Sequence, residues 1–97
     1  MGQIRRLVLD VLKPHDPSIL DMASRLSDLD GVEAVNISIY EIDLKVENAK
    51  ITIEGGDIIY DLVDSVIEGN GGTVHSLDEV VAGSIIIDDA DTLQDRS

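Results

Sequence analysis

No cysteine, phenylalanine or tryptophan occurs in this chain of 97 residues, and there are only two tyrosines, Tyr40 and Tyr60. Without cysteine, disulfides, thiolate nucleophiles and thiolate-held zinc or iron–sulfur centres are excluded. Without the large aromatics, the apolar 43% of the chain rests on Ile, Leu, Val and Ala, which suit strands and helix stripes with well-defined rotamers. Basic residues are scarce as well: seven Lys and Arg face twenty Asp and Glu, a net charge of −13. Such a charge repels phosphate backbones and anionic lipid surfaces, so neither nucleic acid nor a membrane is an expected partner. It suits divalent cations, cationic small molecules or basic protein surfaces, and it also serves solubility alone. No apolar run approaches the length of a membrane span and no signal-peptide pattern opens the chain, so the expectation is a soluble, cytoplasmic protein. Enzyme motifs are missing too. Gly55-Gly56 and Gly69-Asn70-Gly71-Gly72 lack the spacing and the lysine of a phosphate loop, and Ser76 and Ser84 have no base arranged for them. The reading is therefore not an enzyme.

What is present is a clear alternation of periods. Gln3 to Lys13 reads as a first strand, with Leu7, Leu9 and Val11 on one face and Val8, Asp10 and Leu12 on the other. In the following PHDP, Asp16 is the expected N-cap and Pro17 the first helical residue, before a stripe of Ile19, Met22, Leu26 and Leu29. Asp30-Gly31 stops that helix. Val32 to Val46 reads as one long strand whose inward set changes from Val35, Ile37 and Ile39 to Ile42, Leu44 and Val46. A period of two cannot change face without an extra residue, which predicts a bulge near Tyr40-Glu41. A hairpin turn is expected at Glu47-Asn48 and a third strand over Ala49 to Glu54. Asp57 is the expected cap of a second helix with the stripe Ile59, Leu62, Val63 and Val66, and Gly71 to Gly83 (GGTVHSLDEVVAG) supplies the fourth strand.

The order β-α-β-β-α-β predicts an α+β fold. It is the ferredoxin-like plait, an antiparallel four-stranded sheet with two helices on one face. Right-handed crossovers place the first and third strands in the centre, with the second and fourth at the edges. Residues 1–87 form this domain, and the acidic 88–97 is set apart as a C-terminal tail.

That topology groups the polar side chains. The end of the first strand lies beside the start of the fourth, so His15 and His75 are expected at one rim, with Lys13 and Glu47 near them. Imidazoles with a carboxylate there could hold a small ligand, an anionic group or a divalent metal. The alternative is a loop histidine and a half-exposed strand histidine. Glu41 and Asp43 on one edge, and Asp78 and Glu79 on the other, cannot share a cation within one subunit. They could do so where the second strand of one copy meets the fourth of the next, in a heterologous contact that closes a ring and could gather calcium or magnesium. The alternative is that these acids guard the edges against aggregation. Asp10, alone among apolar neighbours on the face without helices, is a further ligand-binding candidate, or an ion-pair partner of Lys50. No cofactor is specified by any motif beyond that divalent cation.

With these segments located, the chain resembles the small archaeal family known as domain of unknown function 211. The resemblance is carried by RRLVLDVLKPH (Arg5 to His15), GVxxVNI (Gly31 to Ile37), EID (Glu41 to Asp43), ENAKITIEG (Glu47 to Gly55) and GGTVHSLDEVVAG (Gly71 to Gly83). It spans roughly Ile4 to Ile86 and implies the ferredoxin-like fold and a homo-oligomer, without implying a reaction. The family commonly carries a basic residue after VVAG, where Ser84 stands here. The functional expectation is a non-enzymatic, oligomeric, small-ligand-binding or regulatory module. The alternative is a divalent-cation-binding protein with carboxylates gathered at subunit interfaces.

Overall fold

The structure is a computed structural model that describes residues 2–87. The elements run β1 (Ile4–Pro14), α1 (Ile19–Ser27), β2 (Val32–Ile42), β3 (Val46–Gly55), α2 (Tyr60–Gly69) and β4 (Thr73–Ala82). The strands form one sheet in the order β2-β3-β1-β4, with every neighbouring pair antiparallel. This is the ferredoxin-like plait expected from the pattern, with β1 and β3 central. The stretch 88–97, set apart as a tail on composition, lies outside the described residues.

Alternation on β1 sends Leu7, Leu9 and Val11 to the helix-covered side. There they meet Ile51 and Ile53 of β3, Met22 and Leu26 of α1, and Ile58, Val63 and Ile67 from α2 and its approach. This purely aliphatic core is the main source of stability, because each buried side chain of this size contributes about 1.5–3 kcal/mol on leaving water.

Local signals differ from expectation at three places. Helix α1 is capped by Ser18, whose hydroxyl accepts from the Asp21 N–H, and not by Asp16. Serine is as good a cap as aspartate, and it stands one residue before the first residue of the stripe. Ser18→Ala is therefore expected to lower stability by about 1 kcal/mol in urea unfolding followed by circular dichroism, and a neutral result would remove the cap from this account. Helix α2 begins after Ile59 with no side-chain cap, so Asp57 does not cap it. Val63 and Ile67 are its buried residues, while Ile59 and Leu62 are exposed. Ile59 has extended backbone just ahead of the helix, so it lies on no helical face, and the buried stripe runs through Val63 and Ile67, one turn apart.

The third difference matters most. The β2–β3 turn lies at Asp43-Leu44-Lys45, not at Glu47-Asn48. Asp43 builds it: its carboxylate accepts from the N–H groups of Lys45 and Val46 at 2.9 and 2.8 Å, and its own N–H reaches the Val46 carbonyl at 3.0 Å. An aspartate that bonds the backbone two and three residues on replaces a glycine-based turn. The bulge foreseen near Tyr40 is present, since Ile39 pairs with Ala49 and Glu41 with Asn48, leaving Tyr40 as the extra residue.

Candidate functional site

Moving the turn earlier makes Glu47 a strand residue. It stands directly opposite Lys13 in the β1–β3 ladder. Both continue the inward parity of their strands, Lys13 after Val11 and Glu47 before Ala49, so a lysine and a glutamate meet at the end of an aliphatic core. The Lys13 side chain is completely inaccessible, and Glu47 keeps 12% of its side-chain exposure. Lys13 Nζ donates to Glu47 Oε1 at 2.9 Å and to the Pro14 carbonyl at 2.6 Å. Burying a charge is costly unless it is paired and hydrogen-bonded, and both conditions hold here.

His15 closes the cluster from the solvent side. Its Nδ1 lies 3.0 Å from Glu47 Oε2, and its Nε2 lies 3.2 Å from the Leu44 carbonyl in the turn. The hydrogen bond to Glu47, then that to Leu44, raises the imidazole above its ordinary pKa against a smaller desolvation effect. Glu47 moves the other way. The hydrogen bond from His15 and then that from Lys13 hold its carboxyl below the usual range. Three of the residues singled out from the sequence, Lys13, His15 and Glu47, are thus brought together. His75 is not. It lies on the opposite flank of β1, in β4, between the partners of Asp10 and Val11, and is exposed. The strand ends do adjoin, but His15 turns toward β3 and the hairpin.

The open face of the sheet carries a second polar group that the sequence reading passed over. Arg6 shares the parity of Val8 and Asp10 and reaches both neighbouring strands. Its Nε meets Glu54 Oε2 at 2.7 Å and its Nη1 meets Glu79 Oε2 at 3.0 Å. The signal was available in that parity, but only the register shows which acids fall within reach. Asp10 stands opposite Lys50 without forming an ion pair with it. Its neighbour is the Tyr40 phenol, raised above its ordinary pKa first by desolvation and then by the hydrogen bond to Asp10. Among the described residues, Asp10 Oδ1 is shielded from solvent and accepts no hydrogen bond. Beside the Arg6–Glu54 pair, a shallow groove of about 360 Å³ is lined by Ala34, Val35, Asn36, Thr52 and Glu54.

The four carboxylates considered for a cation each have local partners. Glu41 accepts from Asn48, Asp43 builds the turn, Asp78 accepts from the Ser76 hydroxyl at 2.7 Å, and Glu79 pairs with Arg6. Among the described residues, no three His, Asp or Glu side chains converge in a way that could hold a metal ion. No helix among them is long and apolar enough to cross a membrane.

Comparison with known proteins agrees with the motifs. The family model described as DUF211, "Uncharacterized ArCR", matches residues 5–96. This chain belongs to that family. It is also 54% identical, over 96 residues and 99% of both chains, to "Uncharacterized protein MJ0319" of Methanocaldococcus jannaschii. Neither name describes an activity.

Proposed function

We propose that the protein is a non-enzymatic cytoplasmic module that assembles with copies of itself through its edge strands and binds a small polar ligand on the sheet. One observation carries the assembly. Leu77 and Val80 of β4 pair with Leu9 and Leu7 and so point to the helix side, yet they remain 46% and 47% exposed. This half-covered apolar row lies along an edge strand whose outer side has no strand partner among the described residues, which invites another strand. The opposite edge suits it. Strand β2 runs antiparallel to β4 and shows Val35, Ile37 and Ile39 half-buried on the same side, so β2 of one copy laid against β4 of the next continues an antiparallel sheet. Such a contact is heterologous and closes into a ring if the rotation allows.

The ligand reading is supported by the groove beside Arg6 and Glu54. Its amide, hydroxyl and carboxylate groups match a compound with several hydrogen-bonding groups. No nucleophile and base stand together there, which is why the reading is binding and not catalysis.

Sedimentation velocity tests the assembly. The expected result is a species several times the monomer mass that is stabilised by salt, because salt screens the repulsion between copies of net charge −13. Leu77→Glu and Val80→Glu, at exposed sites that leave the core intact, should convert it to monomer. A native protein that sediments as a monomer at all concentrations would overturn the proposal.

A further inference from the structure

His15 joins the end of β1 to the β2–β3 hairpin in a way that only one protonation state completes. Both of its partners, the Glu47 carboxylate at 3.0 Å and the Leu44 carbonyl at 3.2 Å, are acceptors. A neutral imidazole has a single N–H. It can serve one acceptor and must direct a lone pair at the other, whereas the imidazolium donates to both. We infer that His15 is a proton-operated latch, fastening the hairpin to the end of β1 when the imidazole is protonated and loosening it when the imidazole is neutral.

The surroundings allow this switch to act locally. The charged groups facing His15 are Glu47 from β3, Lys13 from β1 on the far side of that carboxylate, and Asp43 in the turn. Lys13 bonds to Glu47 Oε1 and to the Pro14 carbonyl, while His15 uses Oε2, so neither bond of the buried pair passes through the imidazole. The Asp43 carboxyl is held low chiefly by the N–H groups of Val46 and Lys45, with His15 the smaller influence, so it stays ionised through the neutral range. The His15 side chain is 43% exposed and exchanges its proton with solvent directly. The Asp43 bonds close the turn on itself, and side-chain packing adds little at its tip, since Leu44 is 95% and Ile42 63% exposed.

The sign follows from linkage. The folded imidazole has a raised pKa, so the latch is fully closed below the ordinary value of about 6.5 and is lost as pH rises through the raised one. The inference does not rest on assembly. It concerns the hairpin of a single chain.

The test is NMR on the full chain from about pH 5 to about pH 9, following the His15 ring protons and the exchange of the Asp43 and Val46 amides, corrected for intrinsic rates. His15 should titrate above the free value of about 6.5. Hairpin protection should fall roughly three- to tenfold through that titration, the equivalent of one lost hydrogen bond, while the Leu9 and Ile51 amides keep theirs. In His15→Gln, which cannot titrate, the pH step should vanish. A His15 that titrates at or below the free value, or a step that persists in His15→Gln, would overturn the latch.

Discussion

Replacing Glu47 with leucine is expected to destabilise the fold by about 3–5 kcal/mol, because it leaves a charged lysine buried without its counter-ion. The Lys13 side chain has no solvent contact, and Glu47 is the only carboxylate bonded to it among the described residues. The ammonium would then have to shed its proton or drag the end of β1 toward water, and either costs more than the lost pair interaction itself. The double replacement Lys13→Met/Glu47→Leu should recover most of the loss, since an apolar pair of similar volume fills the same space without desolvating charge. Urea unfolding of the two variants beside the parent checks this. A loss below about 1 kcal/mol for Glu47→Leu would mean that the pair behaves like a surface salt bridge. Acid should act in the same direction as the mutation. Glu47 has a depressed pKa in the fold, so its stabilisation is complete above the usual carboxylate range and disappears as pH falls through the depressed value. The cluster is therefore strongest in mildly acidic solution, where Glu47 is ionised and His15 is protonated.

Gly31→Ala should cost roughly 2–5 kcal/mol, for a reason rooted in backbone contact. Gly31 adopts φ +88°, and a Cβ there would overlap the Asp57 carbonyl oxygen. A left-handed conformation costs an L-residue about 1–2 kcal/mol, and forcing backbone apart in a packed region adds about 1–3 kcal/mol. The same junction excludes a side chain at Gly55, where a Cβ would overlap the Gly31 carbonyl oxygen. Asp57 N–H also donates to that carbonyl at 3.3 Å, so the entry to β2, the end of β3 and the approach to α2 are held as one unit. Gly69→Ala is the control. It closes α2 with nothing within 4 Å of an added Cβ, so alanine there should be neutral or stabilising by up to about 1 kcal/mol. Equal losses at both positions would refute the contact argument.

Much of the fold was legible because it depends on short-range periodicity. Leu7, Leu9 and Val11 repeat every second residue, Met22 and Leu26 lie one helical turn apart, and the phase change after Ile39 revealed the bulge at Tyr40. The misplaced turn has a local cause. Leu44 and Val46 continue the alternation through the turn, so the pattern does not reveal where the strand reverses. Only the Asp43 carboxylate, a short-range hydrogen-bonding signal, could have located it. Moving the reversal from Glu47-Asn48 to Asp43–Lys45 took Glu47 out of a loop and into a buried ladder position. The candidate site was legible in part. Lys13, His15 and Glu47 were placed at one rim by topology, while His75 was grouped with them because adjacent strand ends do not disclose the direction in which a loop departs.

The aliphatic core, the order of elements and, through the handedness of crossovers, the choice of central strands are all written in the residue pattern. These follow from local period and chain connectivity. Which charges meet is a property of the folded sheet: Lys13 and His15 on Glu47, and Arg6 between Glu54 and Glu79. Those contacts join residues far apart in the chain and depend on strand register, which a single turn resets and no local pattern of apolar residues encodes.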